Sequence, residues 1–273
     1  MTHKDIYIKF MIEYDKANVT SSYPSLTEYE VATVLDKAYN ALIAQKVTGN
    51  NIRRAPFEAD VKSISDLQNL IVTDISKSKD IECTGLSYDD SNNRLIVKLP
   101  VGFLYFVSCS IKKQFDVADD SDSHAGVSSK YVGPIDQETV SGPDNIRYRR
   151  IPVKLVSHDI ADNFKASSSN IPWIKTPVAY IEGQTLNILF DPYDKPLTDF
   201  CELTYIKQPT TFAKDVTKFT TTGSYFTGAG ATIQFELNDT MAEELISLAI
   251  SFALENVESP RLNTKLNMRG LES

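Results

Sequence analysis

Two stretches near opposite ends of the chain carry apolar residues at helical spacing. In residues 25–47, Val31, Leu35, Ala38 and Leu42 recur three or four positions apart, with Asp36, Lys37 and Gln45 on the other side, the pattern of an amphipathic helix. Ser25 precedes Glu28 by three, and Thr27 precedes Glu30 by three, so two overlapping capping boxes are available to its first amides. Gly49-Asn50-Asn51 tolerates the left-handed backbone that ends such a helix. Residues 240–257 repeat the design. Thr240 and Glu243 form a capping box, Leu245, Leu248, Ala249 and Phe252 make a stripe, and Pro260 forbids continuation. Neither stripe is stable in water, which predicts that the two helices bury each other. Two more helices are predicted, over residues 5–17 from Ile6, Phe10, Met11 and Tyr14, and over 57–72 from Phe57, Val61, Ile64, Leu67 and Ile71. In the latter, Asp66, Asn69 and Thr73 are expected toward solvent.

From residue 79 the period shortens. Residues 82–88 and 94–99 are short runs separated by Asp89-Asp90-Ser91-Asn92-Asn93, a cluster of turn-formers that predicts a hairpin. Residues 103–115, FLYFVSCSIKKQF, fit either a helical turn followed by a strand or one long strand, and periodicity does not decide between them. Residues 116–133 are polar and acidic, which predicts an exposed loop. Arg147-Tyr148-Arg149-Arg150 and the following IPVKLVS read as a strand that places Arg147 and Arg149 on one face and Tyr148 and Arg150 on the other. Ser157 is placed to cap a short helix over 158–164. Runs over 178–181, 185–190 and 202–207 read as strands, the first two joined across Glu182-Gly183-Gln184. Residues 209–222 read as a return connection, and 232–237 as one more alternating run. The expected class is α+β. Residues 1–78 form an N-terminal helical part, 79–237 a sandwich- or barrel-like β-rich insertion with one short helix, and 238–273 a C-terminal helix and protruding tail that pack with the N-terminal part.

Composition narrows the classes. With 273 residues and 42% hydrophobic content the chain supports a full core. A net charge of −8 argues against general attraction to nucleic acid or anionic membranes, while leaving room for a basic local patch. Cys83, Cys109 and Cys201 are odd in number and widely spaced, which reads as reduced thiols in apolar contexts, with no disulfide expected. The first segment carries Asp5, Lys9, Glu13, Asp15 and Lys16, so it is neither a signal peptide nor a membrane span, and no other segment approaches spanning length.

Candidate chemistry is sparse. Asp116, Asp119, Asp120 and Asp122 offer carboxylates to a hard cation but lack the alternating ligands, central glycine and terminal glutamate of a calcium loop. His3, His124 and His158 stand at no metal-ligand spacing. His158-Asp159 is half of an acid–base pair at most. No nucleotide-binding or nucleophile-elbow motif occurs, so no catalytic residue, cofactor or metal is expected. Arg147, Arg149 and Arg150 fit contact with phosphates or an acidic neighbour, or a charged strand edge that deters stray pairing. Trp173, Tyr180 and Tyr193 form a glycan platform if exposed and core if not.

These residues carry a resemblance. The segments IPWIKTPVAYIEGQTLNILFDPY and LTYIKQPTTF, the SLTEYEVATVLDKAYNALIAQKV helix and ELNDTMAEELISLAISFALENVESPRL resemble virion structural proteins of crAss-like and related Bacteroidales phages, in particular their head–tail connector or neck ring proteins. The resemblance implies a non-enzymatic subunit of a dodecameric ring below the portal, with DNA passing through its lumen without sequence-specific binding. Its implied partners are further copies of itself, the portal protein, other neck or tail rings and tail or fibre proteins, in a virion assembled in the bacterial cytoplasm. Tails of this class dock on the portal or a neighbouring subunit. Here Arg261, Lys265 and Arg269 recur every four residues beside Leu262 and Leu266, a candidate docking face, with a frayed terminus as the plain alternative. A binding module that attaches fibres or host-surface glycan is the competing expectation.

Overall fold

The computed structural model describes residues 1–16, 26–48, 61–77, 86–89, 91–116, 146–166, 176–190, 200–213, 225–226, 228 and 232–256. The chain divides into two compact units, one made of Met1–Leu70 with Gln208–Ser273 and the other of Ile71–Lys207. The architecture is α+β, with helices at both ends and a β-rich part between them. The expected β-rich part spans residues 79–237, and the second compact unit spans Ile71–Lys207.

The discontinuous unit is helical. Helix α1 (His3–Lys16) buries Ile6, Phe10 and Tyr14, α2 (Glu28–Thr48) buries Val31, Leu35, Ala38 and Leu42, and α3 (Val61–Leu67) continues as a single 3-10 turn to Leu70. The expected third helix stops there because Ile71 and Val72 enter a strand. Asp66 on α3 is buried rather than solvated; its carboxylate accepts from Lys46 Nζ at 3.1 Å and from Asn238 Nδ2 at 3.3 Å. Burial alone would lower the Lys46 pKa, but Glu244 and Asp66 more than offset it and raise the value.

The capping boxes are realised in part. Thr27 and Glu30 bond reciprocally at the start of α2, and Thr2 and Asp5 do the same for α1. The last helix, numbered α5 here (Asp239–Asn256), is capped by Asn238, whose Oδ1 accepts from the Met241 amide at 2.8 Å, and not by Thr240. Asn238 serves because the helix begins one residue before Thr240. Helix α5 is buried nearly all round, with Leu245, Ile246, Leu248, Ile250 and Leu254 inside. Five such side chains, at about 2 kcal/mol each, make it a major hydrophobic anchor of the unit. Residues 208–213 and 232–238 lay Phe212, Phe235 and Leu237 onto the helices. Residues 232–237 form no strand; their one β contact is an isolated bridge from Gln234 to Thr2.

The second unit is one curled mixed sheet, a half-barrel. Its strands are β1 (Ile71–Lys77), β2 (Leu86–Asp89), β3 (Arg94–Lys98), β4 (Phe103–Asp116), β5 (Ile146–Leu155), β6 (Val178–Glu182), β7 (Thr185–Leu189) and β8 (Phe200–Lys207), in the order β1-β8-β4-β5-β6-β7-β3-β2. All neighbours are antiparallel except β5 and β6. The ambiguous 103–115 run is therefore one long strand. The β2–β3 hairpin closes as the turn-formers predict: Asp89 Oδ1 accepts from the Ser91 and Asn92 amides, and Asn93 takes a φ of 47°. At the β6–β7 turn Gly183 has a φ of 58° at the first central position of a two-residue loop, where glycine avoids the left-handed penalty. One face gathers Leu95, Val97, Cys109, Ile111, Ile151, Val153, Ile188, Cys201 and Leu203 into a core. Helix α4 (His158–Ala166) closes a smaller cluster with Ala161 against Val178, Tyr180 and Leu189.

Candidate functional site

Strand β5 divides its pairing. Ile146–Val153 run antiparallel to β4, and only Lys154 and Leu155 pair with β6. Among the described residues, nothing else in the sheet pairs with the far edge of the first eight positions. The ribbon that results concentrates charge. Between Cys109–Asp116 and Ile146–Val153 there are five basic residues, Lys112, Lys113, Arg147, Arg149 and Arg150, against one acid, Asp116, in a chain whose net charge is −8.

The register sets like charges opposite one another. Lys112 faces Arg150, Lys113 faces Arg149, and Arg147 faces Phe115. Directly opposed cations are destabilising by a fraction of a kcal/mol per pair, so the pattern is not what sheet stability alone selects. For the Lys112–Arg150 pair the compensation is visible. The ring of Phe200 on β8 lies 4.4 Å from Lys112 Nζ and 5.7 Å from Arg150 Cζ, and Arg150 Nη1 donates to the Glu202 carboxylate. Glu202 stands opposite Ser110 on β4, so its ion pair with Arg150 passes over the intervening strand where a small side chain leaves room. Both cations thus lie over the Phe200 ring while Arg150 also pairs with Glu202, and each cation–π contact is worth about 1 kcal/mol. Lys112 is buried while Arg150 remains exposed. Arg150 is therefore the member of this pair able to reach an external anion while Lys112 adds field beneath it.

Of the sequence-derived site residues, Arg147, Arg149 and Arg150 are brought into this ribbon, the backbone register being described for all three and the side chain for Arg150. Lys112, Lys113, Phe200 and Glu202 are the members that sequence reading missed; KK at 112–113 is a visible signal, but only the register shows what it faces. Arg261, Leu262, Lys265, Leu266 and Arg269 lie outside the described residues, as do Asp119, Asp120, Asp122, His124, Trp173 and Tyr193.

The other candidates separate. Tyr180 is buried, with Lys165 Nζ 4.2 Å from its ring centroid and the His158 ring edge-on at 5.4 Å, so it is unavailable as a glycan platform. His158 is exposed at the start of α4. His3 is buried against Phe212 with ring centroids 4.1 Å apart, and burial lowers its pKa to about 4 despite the opposing charge of Glu236. Among the described residues no cluster of three or more His, Cys, Asp or Glu could hold a metal ion, and no helix is long and apolar enough to cross a membrane.

No protein-family profile matches the chain, and no curated protein is significantly similar to it in sequence.

Proposed function

We propose that this chain is a structural ring subunit of a tailed-phage virion, a head–tail connector through which DNA passes, and that the β4–β5 ribbon is its contact with an acidic surface of a neighbouring subunit or ring. The observation that carries the contact is the placement of five cations on one paired ribbon of an otherwise acidic chain. An acidic protein repels DNA in general, as a lumen requires, while a local basic strip docks onto the acidic face of a like partner. The ring itself is supported by the segments quoted above that resemble connector proteins. Further support comes from α1, where Ile8 and Ile12 are exposed one turn apart, as a lateral interface of a homo-oligomer requires.

The deciding experiment is quantitative mass spectrometry of purified virions, with particle imaging. A copy number equal to that of the portal, at the head–tail junction, is the expected result. A fibre-like number at the tail tip would replace the ring with the attachment module, and absence from particles would remove both. The ribbon is tested separately. Arg149→Glu with Arg150→Glu should abolish ring incorporation and leave the fold intact by circular dichroism.

A further inference from the structure

The sheet core holds two thiols that the proposed function does not use. Cys109 on β4 and Cys201 on β8 are both buried, and their Sγ atoms lie 3.5 Å apart. They are diagonal neighbours in the register, since Cys109 faces Leu203 and Ile111 faces Cys201. Residues 92 positions apart in the chain are thus brought sulfur to sulfur inside an apolar cluster. Cys109 and Cys201 are buried free thiols, as expected, and their proximity was not legible because spacing along the chain carries no information about register.

We propose that Cys109 and Cys201 are a latent cross-strand disulfide, a covalent modification site that closes when the folded protein meets a small uncharged two-electron oxidant such as hydrogen peroxide. One sulfur attacks the peroxide, the O–O bond breaks, and a sulfenic acid forms with release of water. The second sulfur then displaces the sulfenic oxygen, the S–S bond forms, and a second water leaves. In total two thiols and one peroxide give one disulfide and two waters.

Three features support the assignment. The sulfurs need approach by only about 1.5 Å to reach bonding distance. Diagonal strand neighbours are typically 7–8 Å apart at Cα, slightly beyond the usual disulfide span, and β4 has a register shift between Phe106 and Ser108, next to Cys109, where the strand can give. The hydrogen bond to Cys201 and burial both raise the Cys109 pKa, so the pair rests as thiols and reacts slowly. Closure would tie β4 to β8 around a long loop containing β5, α4, β6 and β7, which constrains the unfolded chain. The inference is independent of the ring reading.

The test uses the full-length Cys83→Ser protein, treated with hydrogen peroxide and then alkylated under denaturing conditions. The expected product is a Cys109–Cys201 linked peptide, lighter by two hydrogens and restored by dithiothreitol, with an unfolding midpoint raised on the order of 5 °C. Cys201→Ala in the same background should show no such rise. Two free thiols after oxidation, sulfinic or sulfonic products without a linked peptide, or links between separate chains would each overturn the proposal. Should Cys201→Ala fail to fold, the linked peptide and its reversal decide alone.

Discussion

Lowering the pH should destabilise the helical unit through His3. The side chain is 1% exposed, its ring lies tilted against Phe212, and its Nδ1 has no hydrogen-bond partner. Burial disfavours the imidazolium and lowers the pKa to about 4, from 6.5 in the unfolded chain; Glu236 opposes this only in part. Between those two values the unfolded state binds the proton and the folded state does not. The stabilisation is therefore complete above about pH 6.5 and is lost as pH falls toward 4. A shift of that size corresponds to about 3 kcal/mol in full, of which about 2 kcal/mol is lost by about pH 4.5. That is a large part of the 5–15 kcal/mol typical of a domain.

The assay is urea unfolding followed by far-ultraviolet circular dichroism, which reports the helices, at about pH 7 and about pH 4.5, for the natural protein and for His3→Phe. Phenylalanine keeps an aromatic ring against Phe212 and removes the titration. Asp36, whose pKa is raised by burial against the two amides it accepts, titrates in both proteins and cancels in the difference. The natural protein should lose about 2 kcal/mol more than His3→Phe over this interval. Parallel losses would refute the reasoning, and would mean that water reaches His3 in the folded state.

Other perturbations have signs fixed by the same geometry. Lys46→Met leaves Asp66 buried without its cation, and should destabilise by about 3 kcal/mol in denaturant titration. Asp36→Ala removes the acceptor of the Phe212 and Ala213 amides, at 2.7 and 2.9 Å, and should cost about 2 kcal/mol, read as a lower midpoint with an unchanged slope. Ile8→Asp with Ile12→Asp should leave stability within about 0.5 kcal/mol, because both side chains are exposed, yet reduce self-association in mass photometry if α1 is a lateral contact. Acrylamide should quench Trp173 fluorescence poorly if that residue is core, as Tyr180 is; efficient quenching would revive the glycan platform.

The parts of the fold that sequence made legible are those set by local chemistry. Asp89 through Asn93 specified the β2–β3 turn because aspartate and asparagine side chains satisfy turn amides themselves. Thr27 and Glu30 specified the start of α2 for the same reason. Where two periods overlapped, the pattern misled. Leu67, Leu70 and Ile71 are spaced for a helix, but the helical run ends at Leu70 and Ile71 pairs with Ile206 on β8, a contact 135 residues away that no local window contains. Thr232–Leu237 alternated like a strand, yet its Phe235 and Leu237 are buried in a helical unit instead.

The site was half legible for a related reason. The Arg147–Arg150 run announces charge, but charge at a strand edge serves two ends, deterring stray pairing or recruiting a partner. What separates them is the opposite strand. A gatekeeper needs only one charge on the exposed edge, whereas here Lys112 and Lys113 on β4 double it from within the sheet, at positions where like-charge opposition weakens the pairing. Phe200 and Glu202 offset that cost at the Lys112–Arg150 pair. On the proposed reading an anion supplied from outside would bind this ribbon, so binding and sheet stability should rise together. Added polyanion should therefore raise the unfolding midpoint of the natural protein more than that of Lys113→Gln with Arg149→Gln, and equal shifts would leave the ribbon as edge protection alone.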